Sequence, residues 1–184
     1  MMIVALALAI GVPMTRRALV RAEMMGQVKM LQTAIAVCRM RAITEGQWVI
    51  VELLEKQDGA PHETPPGGLI QAWVDTNQNR KLNTGETVFG EWYLNMQTAV
   101  LKEGGNRRMR DLRQGYKGVV FYPSGMADAT KDAGPGIGRG SVIVEDAFGN
   151  QIRLQIWSST ATVQLTMKVP GTNQWDSNLR HWTY

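Results

Sequence analysis

The first 45 residues constrain this chain more than any other stretch, because they predict one long helix made of two unlike halves. From Met1 to Val12 every residue is apolar or glycine, and a helix without a polar face must be buried in lipid or among other apolar helices. After Thr15 apolar residues recur at steps of three and four, which predicts one buried stripe consisting of Val28, Leu31, Ile35, Cys38 and Ala42. At ~1.5 Å per residue, such a helix would be ~65 Å long.

The apolar half predicts a membrane anchor that also serves as an assembly element. The residues expected to make its contacts are Met1, Ile3, Val4, Leu6, Leu8, Ile10 and Pro13. A helix from Met1 to Met14 covers only ~21 Å, whereas the hydrocarbon core of a bilayer is ~30 Å thick. We therefore expect the natural chain to begin several residues before Met1. Arg16 and Arg17 follow the apolar run, which is the reverse of the order in a secretory signal peptide.

Composition predicts a single globular domain after this helix. A hydrophobic content of 44% and a charged content of 20% are ordinary for folded proteins and exclude bulk disorder. The 19 glycines favour a body rich in turns and strands. We therefore divide the chain into a helix over residues 1–45 and a β-domain over residues 46–184, which ends in a polar tail at 170–184. The net charge of +4 permits binding to nucleic acid or anionic lipid without requiring it.

The sequence offers little for catalysis. Cys38 is the only cysteine, which excludes an internal disulfide, and its place on the apolar stripe predicts a small core residue. The two histidines, His62 and His181, lie in a Pro/Gly loop and near the end of the chain, and Ser124 has no nucleophile-elbow context. We expect no enzyme activity and no cofactor, with calcium as the one ion considered below.

The sequence after the helix predicts antiparallel strands. Runs rich in β-branched residues predict strands over Trp48–Leu53 and Leu69–Asp75, and further strands are predicted at Thr87–Leu94, Thr98–Lys102, residues 118–121 and Ser141–Glu145. A hairpin turn is predicted over residues 146–150, while residues 57–68 and 125–140 have loop composition. After the hairpin, Ile152, Leu154 and Ile156 alternate with polar residues, and a second alternating run follows from Thr162 to Val169. This period of two predicts one buried sheet face. The fold class is therefore α+β, with the amphipathic half of the helix packed on an antiparallel β-sheet and its apolar half projecting from the body.

The segment between the second and third predicted strands has the spacing of a calcium loop. Asp75, Asn77, Asn79 and Glu86 stand at positions 1, 3, 5 and 12 of an EF-hand pattern. Arg80 occupies position 6, where the EF-hand needs glycine for its sharp turn. Two interpretations follow, a weak calcium site and a polar loop held by Asx turns, and the second is favoured.

A basic segment from Lys102 to Lys117 contains six cations and two acids. It predicts either a solvated loop or a polyanion-binding patch formed by Arg107, Arg108, Arg110 and Arg113. Trp175 and Trp182 lie in the polar tail, where they serve either as packing residues or as contacts to a neighbouring subunit.

The order of these features resembles type IV pilins and pseudopilins, and more narrowly the GspH/FimT-like minor pseudopilins. The matching pieces are RAITEGQWVIV at the end of the helix, AWVDTNQNRKLNTGE, FYPSG and the hairpin VIVEDAFGNQIRLQIW. The helix carries no glutamate near its start, and where DNA-binding relatives tend to have a Gly-Arg motif this chain reads Ser159-Thr160-Ala161-Thr162.

The resemblance implies a structural subunit of a type IV pilus or of a type II secretion filament. Its partners would be other pilin or pseudopilin subunits. Such a subunit would reside in the bacterial inner membrane before assembly, and afterwards in a periplasmic or extracellular filament. The alternative is a membrane-anchored minor pilin that acts as a nucleic-acid receptor in DNA uptake.

Overall fold

A computed structural model describes residues 2–54, 69–94, 100–103, 109–113, 116–131, 133–169 and 171–177. For residues 2–13 and for a few strand residues, among them Arg113, the backbone alone is described. These described residues form one helix and eleven strands: α1 (Met2–Glu45), β1 (Trp48–Leu54), β2 (Leu69–Asp75), β3 (Val88–Tyr93), β4 (Val100–Glu103), β5 (Arg110–Arg113), β6 (Tyr116–Phe121), β7 (Ala127–Asp128), β8 (Arg139–Glu145), β9 (Gln151–Trp157), β10 (Val163–Lys168) and β11 (Trp175–Asp176).

Helix α1 ends where the sequence predicts. Gly46 follows the last helical residue with φ of +63°, the left-handed conformation that glycine adopts at helix ends without steric cost. Arg41 and Glu45 form an ion pair of 2.6 Å across the last turn.

The strands form two antiparallel sheets. The first sheet has the order β3-β2-β1-β6-β5, with β7 paired to β6, and the second has the order β11-β10-β9-β8-β4. The sequence predicted one sheet, whereas the structure has two, so that prediction was wrong. Sequence alternation shows which strands have a buried face, but it does not show which strands pair. The predicted α+β class, with the helix packed on antiparallel sheets, is confirmed.

One hydrophobic core joins α1 to both sheets. The predicted stripe is confirmed, since its five members are each at most 3% exposed. Met24 extends the stripe by one turn. Val51 of β1 and Leu154 of β9 belong to the same cluster, so the helix covers the inner faces of both sheets. The buried set Ile152, Leu154 and Ile156 is also confirmed.

The basic segment, the predicted loop at 125–140 and the polar tail each contain strand residues. The basic segment contains β5, which is an edge strand, and edge positions tolerate charged side chains. The segment 125–140 contains β7 and the first residues of β8. The tail folds back at residues 171–174, so that Trp175 pairs with Lys168 and Asp176 with Met167. The predicted loop at 57–68 lies outside the described residues.

Candidate functional site

The two faces of α1 differ in what covers them. The inner stripe is core, whereas the opposite face exposes large apolar side chains: Leu19 at 70%, Val37 at 50% and Met40 at 57%. At ~100° per residue, Val37 and Met40 lie ~60° apart on the side away from Ile35 and Cys38. Isolated exposed apolar residues are common, but these share one helix face.

A groove runs beside this outer face. It has a volume of about 330 Å³ and lies between α1 and the turn that precedes β10. Ala36, Arg39 and Met40 form one wall, and Ala161 and Val163 form the other. Ala161 has φ of +50°, so the chain turns sharply at this wall. The groove therefore places the outer face of the helix beside residues 161–163 of the body.

The predicted assembly residues share the same helix. The backbone of α1 is helical through Ile3, Val4, Leu6, Leu8, Ile10 and Pro13, while Met1 and the side chains of residues 2–13 lie outside the described part. No helix in the described part of the chain is both long enough and apolar enough to span a bilayer.

The loop after β2 is organised by its own polar side chains. Asp75 is fully buried, and its two carboxylate oxygens accept the backbone N–H groups of Asn79 at 3.2 Å and Arg80 at 2.7 Å. Asn79 in turn accepts the backbone N–H of Lys81 at 2.8 Å. Gln78 and Arg80 have φ of 59° and 62°, a left-handed conformation that costs energy in non-glycine residues. These Asx-type hydrogen bonds compensate for that cost.

Glu86 closes the same loop from its far end. Its carboxylate accepts the backbone N–H groups of Thr76 at 3.1 Å and Asn83 at 2.8 Å. Burial raises the pKa of Glu86, but the hydrogen bonds from Asn83 and Thr76 outweigh it, so that the pKa falls below its usual range. No group of three or more His, Cys, Asp or Glu side chains suited to a metal occurs among the described residues. Calcium binding by Asp75, Asn77, Asn79 and Glu86 stays the less favoured interpretation of this loop.

The basic segment contributes to an ion cluster that sequence reasoning missed. Asp128 of β7 is fully buried, and its Oδ2 lies 3.3 Å from Nη2 of Arg80 and 3.5 Å from Nε of Arg110. Arg80 also donates to the hydroxyl of Tyr122 at 3.3 Å, and Arg110 donates to the carbonyl of Ala133 at 3.3 Å. Burial raises the pKa of Asp128 above its usual range, although the two guanidinium groups act in the opposite direction.

This cluster changes the interpretation of the proposed polyanion patch. Arg110 shares the single buried carboxylate of Asp128 with Arg80, so its charge is compensated only in part within the protein. Arg107 and Arg108 lie outside the described residues, and only the backbone of Arg113 is described. Arg110 and Asp128 are far apart in sequence and come together through the pairing of β5 and β7 with β6, which is why no local motif reveals the cluster.

The cluster and the loop cover the outer face of the first sheet. Ile50, Trp73 and Val120 are fully buried there, and Leu82 from the loop packs on them. Trp48 packs edge-on against Tyr122 with ring centroids 4.9 Å apart.

Cys38 is fully buried, as the sequence predicts. Burial raises the pKa of its thiol to about 12, so the thiolate is not formed at neutral pH.

The comparisons with known proteins give no match: no family profile, no curated protein and no solved structure is significantly similar to this chain.

Proposed function

We propose that this protein is a non-enzymatic, pilin-like filament subunit that assembles through helix α1. Its partners are further pilin or pseudopilin subunits, in a type IV pilus-like or type II secretion filament. Before assembly, the apolar run from Met1 to Val12 holds the subunit in the bacterial inner membrane. The assembled filament is periplasmic or extracellular.

The observation that supports this function best is the separation of roles on α1. Its inner stripe completes the core of the body, while its outer face exposes Leu19, Val37 and Met40 in line with the apolar run. Among the described residues, none of these three side chains belongs to the hydrophobic core. Packing it against neighbouring helices removes apolar area from water, at about 25 cal/mol per Å².

The alternative function, a membrane-anchored nucleic-acid receptor, has weaker support. Arg110, from the basic segment that favoured it, pairs with Asp128 at 3.5 Å. A receptor of this kind would show DNA affinity that falls steeply with salt and is lost on replacing Arg107, Arg108 and Arg113 by Ala.

Charge substitutions on the two faces of α1 test the proposal. In the full chain, Val37→Asp with Met40→Asp should leave the melting temperature within about 3 °C of the parent, because both side chains are exposed. The same pair should abolish cross-linking between subunits in membranes and in isolated filaments. Ile35→Asp should unfold the body, because an unpaired buried charge costs several kcal/mol.

Ile137→Asp is the matched control. Ile137 is 64% exposed and lies off the helix, so the same kind of change should spare both fold and cross-linking. Loss of cross-linking in this control equal to that of the helix variant would point to a general effect of charge. Normal cross-linking in the helix variant would refute assembly through α1.

A further inference from the structure

The buried stripe of α1 becomes basic where the body ends. Continued toward the N-terminus at steps of three and four, the stripe passes from Val28 and Met24 to Arg21 and Arg17. Met24 is fully buried, Arg21 is partly buried and Arg17 is exposed. The hydrophobic core therefore ends near Met24, and the next two turns on the same side of the helix present guanidinium groups.

The tip of the β8–β9 hairpin lies beside this basic part of the helix. Phe148 at the tip is 43% exposed, and its ring centroid lies 5.6 Å from the guanidinium carbon of Arg17. Asp146 accepts the backbone N–H groups of Phe148 at 2.8 Å and Asn150 at 2.9 Å, so the acid of this turn is engaged in holding the turn. The turn thus presents an aromatic ring to solvent next to a cation.

The β10–β11 turn lies at the same end of the body. Gly149 and Asn150 of the hairpin line a polar hollow of about 330 Å³ together with Lys168 and Thr172. No carboxylate is among the described residues that line this hollow. Lys168 therefore adds a further cation beside the hairpin tip.

The cations at this end of the body keep their full charge. Among the residues that the structure describes, Arg16, Arg17 and Lys168 form no ion pair. Arg16 and Arg17 are exposed, and Lys168 is partly exposed. A guanidinium group suits bidentate contact with phosphate oxygens, and an ammonium group binds phosphate as a point charge. We call this surface the basic end and define it by Arg16, Arg17, Phe148 and Lys168.

The basic end lies close to the apolar run of the helix. Val12 is the last residue of that run, and Arg16 and Arg17 follow it by ~6 Å and ~7.5 Å along the helix axis. The headgroup layer on each side of a bilayer is ~5–8 Å thick. With the apolar run in the bilayer, the two arginines and the neighbouring Phe148 lie at the depth of the lipid phosphates. This depth rests on the proposed function, in which the apolar run resides in the membrane.

We propose that the basic end docks on an anionic phospholipid surface, with Arg16, Arg17 and Lys168 at lipid phosphates and Phe148 at the boundary with the acyl chains. Basic side chains combined with an apolar aromatic one are typical of protein surfaces that lie in this layer. A second copy of the chain fits less well, because the same positive charge would face itself across a symmetric contact. Docking thus holds the body against the membrane at the hairpin tip as well as through the helix.

Fluorescence quenching in lipid nanodiscs that contain the full chain tests this proposal. A fluorophore is attached at Ala147→Cys, an exposed position next to Phe148, whereas Cys38 is fully buried and stays unlabelled. The discs consist of phosphatidylcholine alone or of phosphatidylcholine with phosphatidylglycerol, and both contain the same amount of a lipid with a nitroxide quencher on its headgroup. We expect at least about threefold stronger quenching in the anionic discs, because each basic residue near an anionic surface adds attraction.

Substitutions at the basic end separate its two contributions. Arg16→Gln with Arg17→Gln should lower the quenching in anionic discs to near the value in neutral discs, because it removes the two cations closest to the apolar run. Phe148→Ser should lower the quenching in both kinds of disc, because it removes the ring from the interfacial layer. Lys29→Gln with Lys81→Gln is the matched charge control: both lysines are exposed and lie away from the basic end, so the quenching should stay unchanged. Each variant should melt within about 3 °C of the parent, because only exposed side chains change.

A fluorophore at Ser159→Cys is the positional control. Ser159 is exposed and lies beyond the opposite end of β9, at least ~24 Å from the hairpin tip, so its quenching should be weak. Equal quenching at the two positions, equal quenching of Ala147→Cys in both kinds of disc, or equal losses in the two charge variants would overturn the proposal. Self-quenching between labelled subunits without quenching by lipid would also overturn it, in favour of a second copy.

Failure of this inference is distinguishable from failure of the proposed function. Chains that incorporate into the discs but show no quenching at Ala147→Cys would refute docking of the basic end and leave membrane residence intact. Chains that do not incorporate would refute residence through the apolar run, and docking of the basic end with it.

Discussion

The outer faces of the two sheets differ in chemistry. In the first sheet the outer face is apolar, and Ile50, Trp73 and Val120 are fully buried beneath the loop that follows β2. In the second sheet the outer face is largely polar: Trp157 and Gln164 are exposed to solvent, while Gln155 and Thr166 are buried. Helix α1 covers the inner face of each sheet, so the difference comes from what lies on the other side.

This difference has a source in the strand sequences. The run Trp48–Val51 is apolar at every position, which is typical of a strand buried on both faces. The strand Gln151–Trp157 alternates, which is typical of a strand buried on one face. A sheet whose strands are apolar on both faces needs a covering layer on its outer face as well, and the loop after β2 provides that layer.

The largest difference in stability is expected when a tryptophan is removed from the outer face of each sheet in turn. Trp73→Ala should lower the free energy of unfolding by about 3–5 kcal/mol, because it leaves a cavity in a fully buried layer. Trp157→Ala should cost less, about 1–2 kcal/mol, because that side chain is 36% exposed and its removal leaves no enclosed cavity. Urea unfolding measures both values.

Trp73→Phe sharpens this test. The indole nitrogen of Trp73 is buried without a hydrogen-bond partner, so replacing the ring by phenylalanine removes an unsatisfied donor and should cost much less than alanine. Equal losses for Trp73→Ala and Trp157→Ala would contradict the contrast between an enclosed and a partly exposed outer face.

The stability of the loop that covers the first sheet should depend on Glu86. Glu86→Gln weakens the hydrogen bonds to the backbone of Thr76 and Asn83 and should cost about 1–2 kcal/mol at pH 7. The folded-state pKa of Glu86 is lowered, so its stabilising contribution is present above the unfolded-state pKa and is lost as pH falls through the folded-state pKa. The parent's advantage over Glu86→Gln should therefore shrink on acidification, as chemical denaturation at several pH values would show.

Asp128 should show the opposite dependence on pH. Its folded-state pKa is raised, so the folded protein binds the proton more tightly and stability falls as pH rises from the unfolded-state pKa through the folded-state pKa. Asp128→Asn removes this dependence and should stay within about 1.5 kcal/mol of the parent at pH 7, since Arg80 and Arg110 are partly exposed and keep access to water. A parent that gains stability relative to Asp128→Asn with rising pH would refute the assignment.

The smallest effect is expected from calcium. The oxygens of Asp75 and Glu86 already accept backbone N–H groups within the loop. We expect the melting temperature to stay unchanged between millimolar calcium and excess chelator, because no binding free energy is added to the folded state. A rise with calcium that Glu86→Gln abolishes would establish the ion site instead.

The helix and most strands could be predicted because their signals are local. Gly46 marks the end of α1, and Val28, Leu31 and Ile35 mark its buried stripe within a few turns. The division into two sheets depends on pairing between distant strands, such as β1 with β6, and no local pattern specifies it. The same holds for Asp128, whose two partners come from the β2–β3 loop and from β5.

The buried stripe of α1 also determines how the molecule carries a mechanical load. It runs from Met24 to Ala42, ~27 Å along the helix axis, and contributes to a core shared by both sheets. A force pulling on the helix along its axis is carried by all these contacts at once, in shear, whereas a force that peels the helix from Glu45 breaks them one turn at a time. The body is therefore strongest against tension applied along the apolar end of its own helix.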